Sequence, residues 1–189
     1  MKMKSISIAS IGAIALLTTV SAIDAIPGVP SIWDMGSAIA QNSQQKGQLQ
    51  LQLSAEKQVI QKDKEGKQKI TWQPLQGNVA VQSKDVLRYT VSGENKGDRP
   101  IKNLALNQPI PKGMVYQLKS ASIPTGGKIT YKIDGASSFV ENPTVQVKLP
   151  NGKVETQAAP ASAYTQIRLN IASVPGKATV KASYQVQVR

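Results

Sequence analysis

From Gln48 onward the chain alternates apolar and polar residues, and that period of about two constrains the fold more than any other feature. The stretch QLQLQLSA places Leu49, Leu51 and Leu53 on one side of an extended backbone and glutamines on the other, since successive strand side chains point to opposite faces. The same alternation recurs at Ile70 and Trp72; at Leu87, Tyr89 and Val91; at Leu104 and Leu106; and at Ile129, Tyr131 and Ile133. It continues at Val145, Val147 and Leu149; at Ile167, Leu169 and Ile171; and at Val180, Tyr184, Val186 and Val188. No helical period with caps is sustained alongside it. Strands with one oily face must close on a second such layer.

Turn residues separate the runs. Asn151-Gly152 tolerates positive φ at both positions and suits a type I′ hairpin between VQVKL and KVETQ. Glu65-Gly66, Lys96-Gly97, Gly126-Gly127, Asp134-Gly135 and Pro175-Gly176 mark further reversals. The run QKDKEGKQK, Gln61 to Lys69, reads as a solvated hairpin tip, because Asp63 and Glu65 interrupt its lysines. The spacing predicts an all-β, antiparallel β-sandwich of about seven to nine strands over residues 48–189.

Composition decides which chemistries are open. The sequence has 0 His, 0 Cys and only 4% aromatic residues, so its core rests on Val, Ile, Leu and Ala. Without imidazole or thiol the chain lacks the usual general base, the thiolate nucleophile and the common soft-metal ligands. It also forms no disulfide, and so is indifferent to the redox state of its compartment. The net charge is +12, from 23 Lys and Arg against 11 Asp and Glu, a balance suited to anionic partners.

The N-terminus reads as an export signal. Lys2 and Lys4 precede an uncharged apolar stretch, Ile6 to Val20, followed by small residues. We place the signal peptide at 1–25, with cleavage at Val20-Ser21-Ala22 or Ile23-Asp24-Ala25, and note a second A-x-A pattern at Ala38-Ile39-Ala40, where cleavage after residue 40 would fall. Residues 26–47, rich in Pro, Gly, Ser and Gln and containing Trp33, read as a flexible tail. No second apolar run long enough for a membrane span follows.

In the segment Val86 to Gly113, a core-facing run, Leu87, Tyr89 and Val91, meets the polar loop Asn95-Lys96-Gly97-Asp98. Ile101, Leu104 and Leu106 then return as the expected pairing partner until Pro109 and Pro111 end the ladder. This segment resembles the conserved-repeat family of bacterial and archaeal surface proteins known as domain of unknown function eleven. Its D-x-h-x-Y-T-h strand is similar to Asp85-Val86-Leu87-Arg88-Tyr89-Thr90-Val91, its N-x-G-D loop to Asn95-Lys96-Gly97-Asp98, and its proline corner to Gln108-Pro109-Ile110-Pro111-Lys112-Gly113-Met114. Its closing stretch is similar to Val174-Pro175-Gly176-Lys177-Ala178-Thr179-Val180. The sequence departs at Gln108, usually Asp, which removes the corner carboxylate a calcium site would use, and at Gly93, usually apolar. The resemblance implies an immunoglobulin-like β-sandwich in an exported protein of the cell envelope or surface.

Catalytic, cofactor and metal sites are not indicated. Asp85, Glu94, Asp98, Asp134, Glu141 and Glu155 each sit beside a turn or on a polar strand face, with no spacing that predicts a convergent pair. Asn95 with Asp98 supplies too few oxygens for calcium. Lys, Asn and acidic residues for an isopeptide cross-link are present, yet no spacing selects a trio. The expected function is a non-enzymatic exported module, periplasmic, at the cell surface or extracellular, with a structural or adhesive role. The alternatives are a basic binding module for an anionic envelope polymer and a subunit of an extracellular filament. Expected partners are other envelope or surface proteins, copies of itself, and anionic polysaccharide or lipid; nucleic acid is not expected, because the tyrosines lie in core register and not interleaved with exposed basic residues.

Overall fold

The computed structural model describes residues 48–62, 65–75 and 80–189, together with the backbone of 37–40. The apolar leader, Trp33 and the cleavage patterns around residues 20–25 lie outside the described residues. The protein is an all-β antiparallel sandwich. One layer, the front sheet, orders β1 (Ser37–Ala40), β5 (Ile101–Pro109), β10 (Tyr164–Val174) and β7 (Lys128–Ile133). The back sheet orders β3 (Gln68–Pro74), β2 (Leu49–Lys62), β4 (Val86–Asn95), β11 (Thr179–Val188) and β6 (Met114–Tyr116). A separate hairpin joins β8 (Thr144–Lys148) to β9 (Val154–Ala158).

The alternation defines the interior. Leu51, Ala55, Leu87, Tyr89, Val91, Ala182, Tyr184 and Val186 point forward from the back sheet, against Ile101, Leu104, Leu106, Ile167, Leu169, Ile171 and Val174 of the front sheet. Leu87, Leu104, Ile167, Leu169, Val174 and Val186 are fully buried, each contributing roughly 1.5–3 kcal/mol through removal of apolar surface from water. Tyr89 and Tyr184 stack between the layers with ring centroids 5.5 Å apart. At Gly93 the Leu51 and Val180 side chains leave room for little more than a methyl, since an added Cβ would already stand 3.4 and 3.6 Å from them.

Three expectations are corrected. First, β4 and β5 do not pair with each other. The polar loop between them crosses from one sheet to the other, so β4 pairs with β11 and β2, and β5 pairs with β10 and β1. Second, Val145, Val147 and Leu149 do not face the shared core; they lie half-buried on the detached hairpin, whose second strand is exposed throughout. Its turn is not type I′, since only Gly152 takes positive φ, at 80°. Gly152 N–H donates to Leu149 C=O at 2.9 Å across Pro150 and Asn151, and Asn151 Oδ1 accepts Lys153 N–H. Pro150 presets the first corner of this three-residue loop, a constraint that outweighs the Asn-Gly preference.

Third, Ile70 is not a core residue: it is 56% exposed and faces Ile60 across the outer half of the β2/β3 hairpin. That half runs past the end of the core, so its alternation has nothing to pack against. The hairpin end at Lys62 opposite Gln68 does match the expected solvated tip. The alternation carries no signal for β6 or β1. β1 lies inside the segment read as a tail, and supplies a strand there.

The cross-sheet loop is held by one buried amide. Asn95 has no exposed surface; its Nδ2 donates to the carbonyls of Arg99 at 2.7 Å, Val174 at 3.1 Å and Pro175 at 3.0 Å, while Oδ1 accepts Gly97 N–H at 3.0 Å. Val174 and Pro175 begin the second crossing, from β10 to β11, so a single side chain ties both crossings together. Lys177 N–H donates to Gly97 C=O, and a Cβ on Gly176 would collide with the Asp98 carbonyl. Two of the stretches that carry the sequence resemblance, Asn95–Asp98 and Val174–Lys177, meet at this end of the sandwich, whereas the proline corner after Pro109 lies at the other end of β5.

Candidate functional site

The sequence-flagged carboxylates are dispersed. Asp85 pairs with Lys57 at 2.7 Å and accepts Gln82 N–H, fixing the entry to β4. Asp98 lies 3.4 Å from Lys177 at the crossing loops, Glu141 pairs with Lys128 at 2.7 Å, and Glu155 accepts from Gln157 on β9. Glu94 and Asp134 are exposed at opposite sheets. Among the described residues no three acidic groups gather to hold a metal ion. Asn95 is occupied by backbone groups and Gln108 is turned inward, 5% exposed.

The structure instead brings together a set that sequence reasoning missed, on the outer face of the front sheet. A strand whose inner residues are Ile167, Leu169 and Ile171 must send Gln166, Arg168, Asn170 and Ala172 outward. The register sets Arg168 opposite Asn107 on β5 and Thr130 on β7, and Asn170 opposite Ala105 and Lys128. Arg168, Asn170 and Lys128, with Asn103, form the polar lining of an open groove of about 410 Å³, and Ala105, Gly126, Ile171 and Ala172 its apolar and small-residue lining. Asn103 lies in the left-handed region at φ 54°, and the β5/β10 register passes over it between Lys102 and Leu104. Asn adopts that backbone at little cost.

Arg168 is the organised member. Its Nε donates to Asn107 Oδ1 at 2.7 Å, and the guanidinium carbon stands 3.8 Å from the centroid of the Phe139 ring. A guanidinium held by one edge and one face keeps its terminal N–H groups for a planar anion, with rotamer entropy already given up. Nearby, Asn170 Nδ2 donates to Lys128 C=O at 3.2 Å. Glu141 raises the Lys128 pKa, by hydrogen bond first and by charge second, so this ammonium stays protonated throughout the neutral range. The one signal available in sequence was the chain's single Phe, placed in the polar loop SSFVEN.

Among the described residues, the end of the sandwich beside β7 is filled by aromatic rings. Tyr116 and Tyr131 hydroxyls lie 3.2 Å apart and Tyr164 packs edge-on to Tyr131, closing the gap between layers. Burial raises the pKa of Tyr131, with the Tyr116 hydrogen bond adding to it. These rings are packing, as their core register indicated. No family model, curated protein or solved structure matches the chain.

Proposed function

We propose that this chain is a non-enzymatic exported module with a structural or adhesive role at the cell envelope, and that it adheres through the outer face of the front sheet to an anionic polysaccharide. The observation that carries the reading is the pre-set Arg168, clamped by Asn107 and Phe139 beside an open groove edged with amides. Amide side chains and a guanidinium fork suit sugar hydroxyls and carboxylates, and a shallow open groove suits a polymer that passes through it better than a small molecule that must be enclosed. The overall charge of +12 adds long-range attraction to such a polymer. The export part rests on the leader, and the immunoglobulin-like relationship on the loop and corner residues quoted above.

Binding to alginate, with neutral dextran as the comparison, tests it by co-sedimentation or calorimetry. Arg168→Ala is expected to weaken alginate binding about tenfold, the value of one charge-assisted contact of roughly 1.4 kcal/mol. Arg168→Lys should recover only part, because an ammonium keeps the charge without the fork. Binding that is equal on dextran and alginate, or unchanged in Arg168→Ala, overturns the assignment.

A further inference from the structure

We propose that β1 is an exchangeable strand, and that Ser37–Ala40 of one copy pairs with β5 of a second copy to join chains at the cell envelope. In the single chain Ser37, Ala38, Ile39 and Ala40 stand opposite Asn107, Leu106, Ala105 and Leu104 in antiparallel register. β5 runs for nine residues, and on its other side β10 pairs with it from Ile101 to Pro109. β1 spans only four residues, so it covers less than half of an edge whose free N–H and C=O groups template strand addition.

The other edges are guarded. At the far side of the front sheet, Val140 bridges Tyr131 of β7 through paired backbone hydrogen bonds of 2.8 and 2.9 Å. In the back sheet β6 has three residues, and β3 carries the charged Lys69 and ends in Pro74, features that blunt an edge. Among the described residues of the two main sheets, the β5 edge is the long one closed by a short segment from elsewhere in the chain.

That segment is tethered by the sequence QNSQQKGQ, Gln41 to Gln48, which contains no apolar residue to anchor it to the core. Eight extended residues reach about 26 Å, enough to cross to a neighbour. Pairing through main-chain groups is the same in either chain, so exchange loses no hydrogen bond. What favours the closed form is the effective concentration of a short tether, in the millimolar range; dense packing at a surface offsets it. The inference rests on the export reading in one respect: cleavage near residues 22–25 leaves β1 in the mature chain, whereas cleavage after Ala40 removes it.

The absence of native Cys makes the test clean. Ile39→Cys and Ala105→Cys chains, mixed at high concentration and oxidised, are expected to give a mixed disulfide dimer. Ile39→Cys mixed with Lys181→Cys, on the exposed back sheet, measures chance collision. The doubly substituted chain, dilute, should close on itself. Closure of the double variant with no mixed dimer above the collision control overturns exchange, and failure of the double variant to close overturns the pairing itself. Mass spectrometry of the exported chain separates the two readings: a mature N-terminus at Gln41 sinks exchange and leaves export standing, while a chain found only in the cytosol with Met1 intact sinks export whatever the cross-links show.

Discussion

Replacing Asn95 by Ala removes the one side chain that ties both crossings of the sandwich, and the cost can be worked from its partners. Two of its four bonds, from Nδ2 to Val174 C=O and from Gly97 N–H to Oδ1, lie in fully buried surroundings; the bonds to Arg99 and Pro175 are nearer to water. Water can replace the outer pair. The inner carbonyl and amide would be left unsatisfied at about 1–3 kcal/mol each, so the expected loss is around 4 kcal/mol. Against a total stability of roughly 5–15 kcal/mol, that is a large fraction.

Urea unfolding followed by far-ultraviolet circular dichroism measures it, and a nearly isosteric variant separates hydrogen bonding from packing. Asn95→Asp fills the same volume and can still accept from Gly97, yet an ionised carboxylate cannot donate to the carbonyls it faces. It should therefore be at least as destabilised as Asn95→Ala at neutral pH. The buried carboxylate's pKa would be raised above its unfolded value, so folding takes up a proton: the deficit is present above the folded-state pKa and shrinks as pH falls toward the unfolded value near 4. A cost below about 1 kcal/mol for Asn95→Ala, or an Asn95→Asp protein as stable as the parent at neutral pH, would refute the account of the clamp.

Gly176→Ala should lower stability by about 1–3 kcal/mol, visible as a lower thermal midpoint, because its new Cβ would strike the Asp98 carbonyl; Gly135→Ala, where nothing lies within 4 Å, suffers only from its φ of 71° and should lose about 1 kcal/mol. Burial pushes the Tyr89 pKa up to about 12 from 10.0, and that of Tyr184 further in the same direction. A raised phenol pKa means the folded state keeps a proton the unfolded state loses, so stability is full below about pH 10 and declines above it. For Tyr89 alone the loss by pH 12 is of order 2–3 kcal/mol. Phenolate absorbance should show part of the tyrosines titrating only with unfolding; five tyrosines titrating together near pH 10 while the fold persists would contradict this. Ile60→Thr with Ile70→Thr should leave urea stability within about 0.5 kcal/mol, as both side chains are more than half exposed.

The inward faces were legible because burial admits few residue types: Leu87, Tyr89 and Val91, or Ile167, Leu169 and Ile171, alternate without exception. What the alternation cannot encode is which layer a strand joins. The loop Asn95 to Asp98 looks the same whether it closes a hairpin or crosses between sheets; the difference lies in Val174 and Pro175, some eighty residues away, whose carbonyls claim the Asn95 amide. Likewise Ile70 and Val147 obey the period yet lie beyond the core, since a ribbon longer than its partner layer continues to alternate with nothing opposite.

The groove was illegible for a related reason. A residue that must satisfy a buried group, or must lack a Cβ because a neighbour stands in its place, has few substitutes, so Asn95, Gly97 and Gly176 form a recognisable pattern. A contact on an open face can be made by many side chains, and its geometry depends on register: Arg168 meets Asn107 only because β10 and β5 are aligned with Leu169 opposite Leu106. Shifting that register by one residue would turn Arg168 into the core and Leu169 into the groove. The inward leucines and isoleucines thus hold Arg168 in place without touching it, which makes the apolar pattern a condition of any binding at the outer face. The loop residues Asn95–Asp98, with Val174–Lys177, lock one end of the sandwich and so bear on architecture; the adhesion proposed above rests on Arg168, Phe139, Asn107 and Asn170, which no such pattern includes.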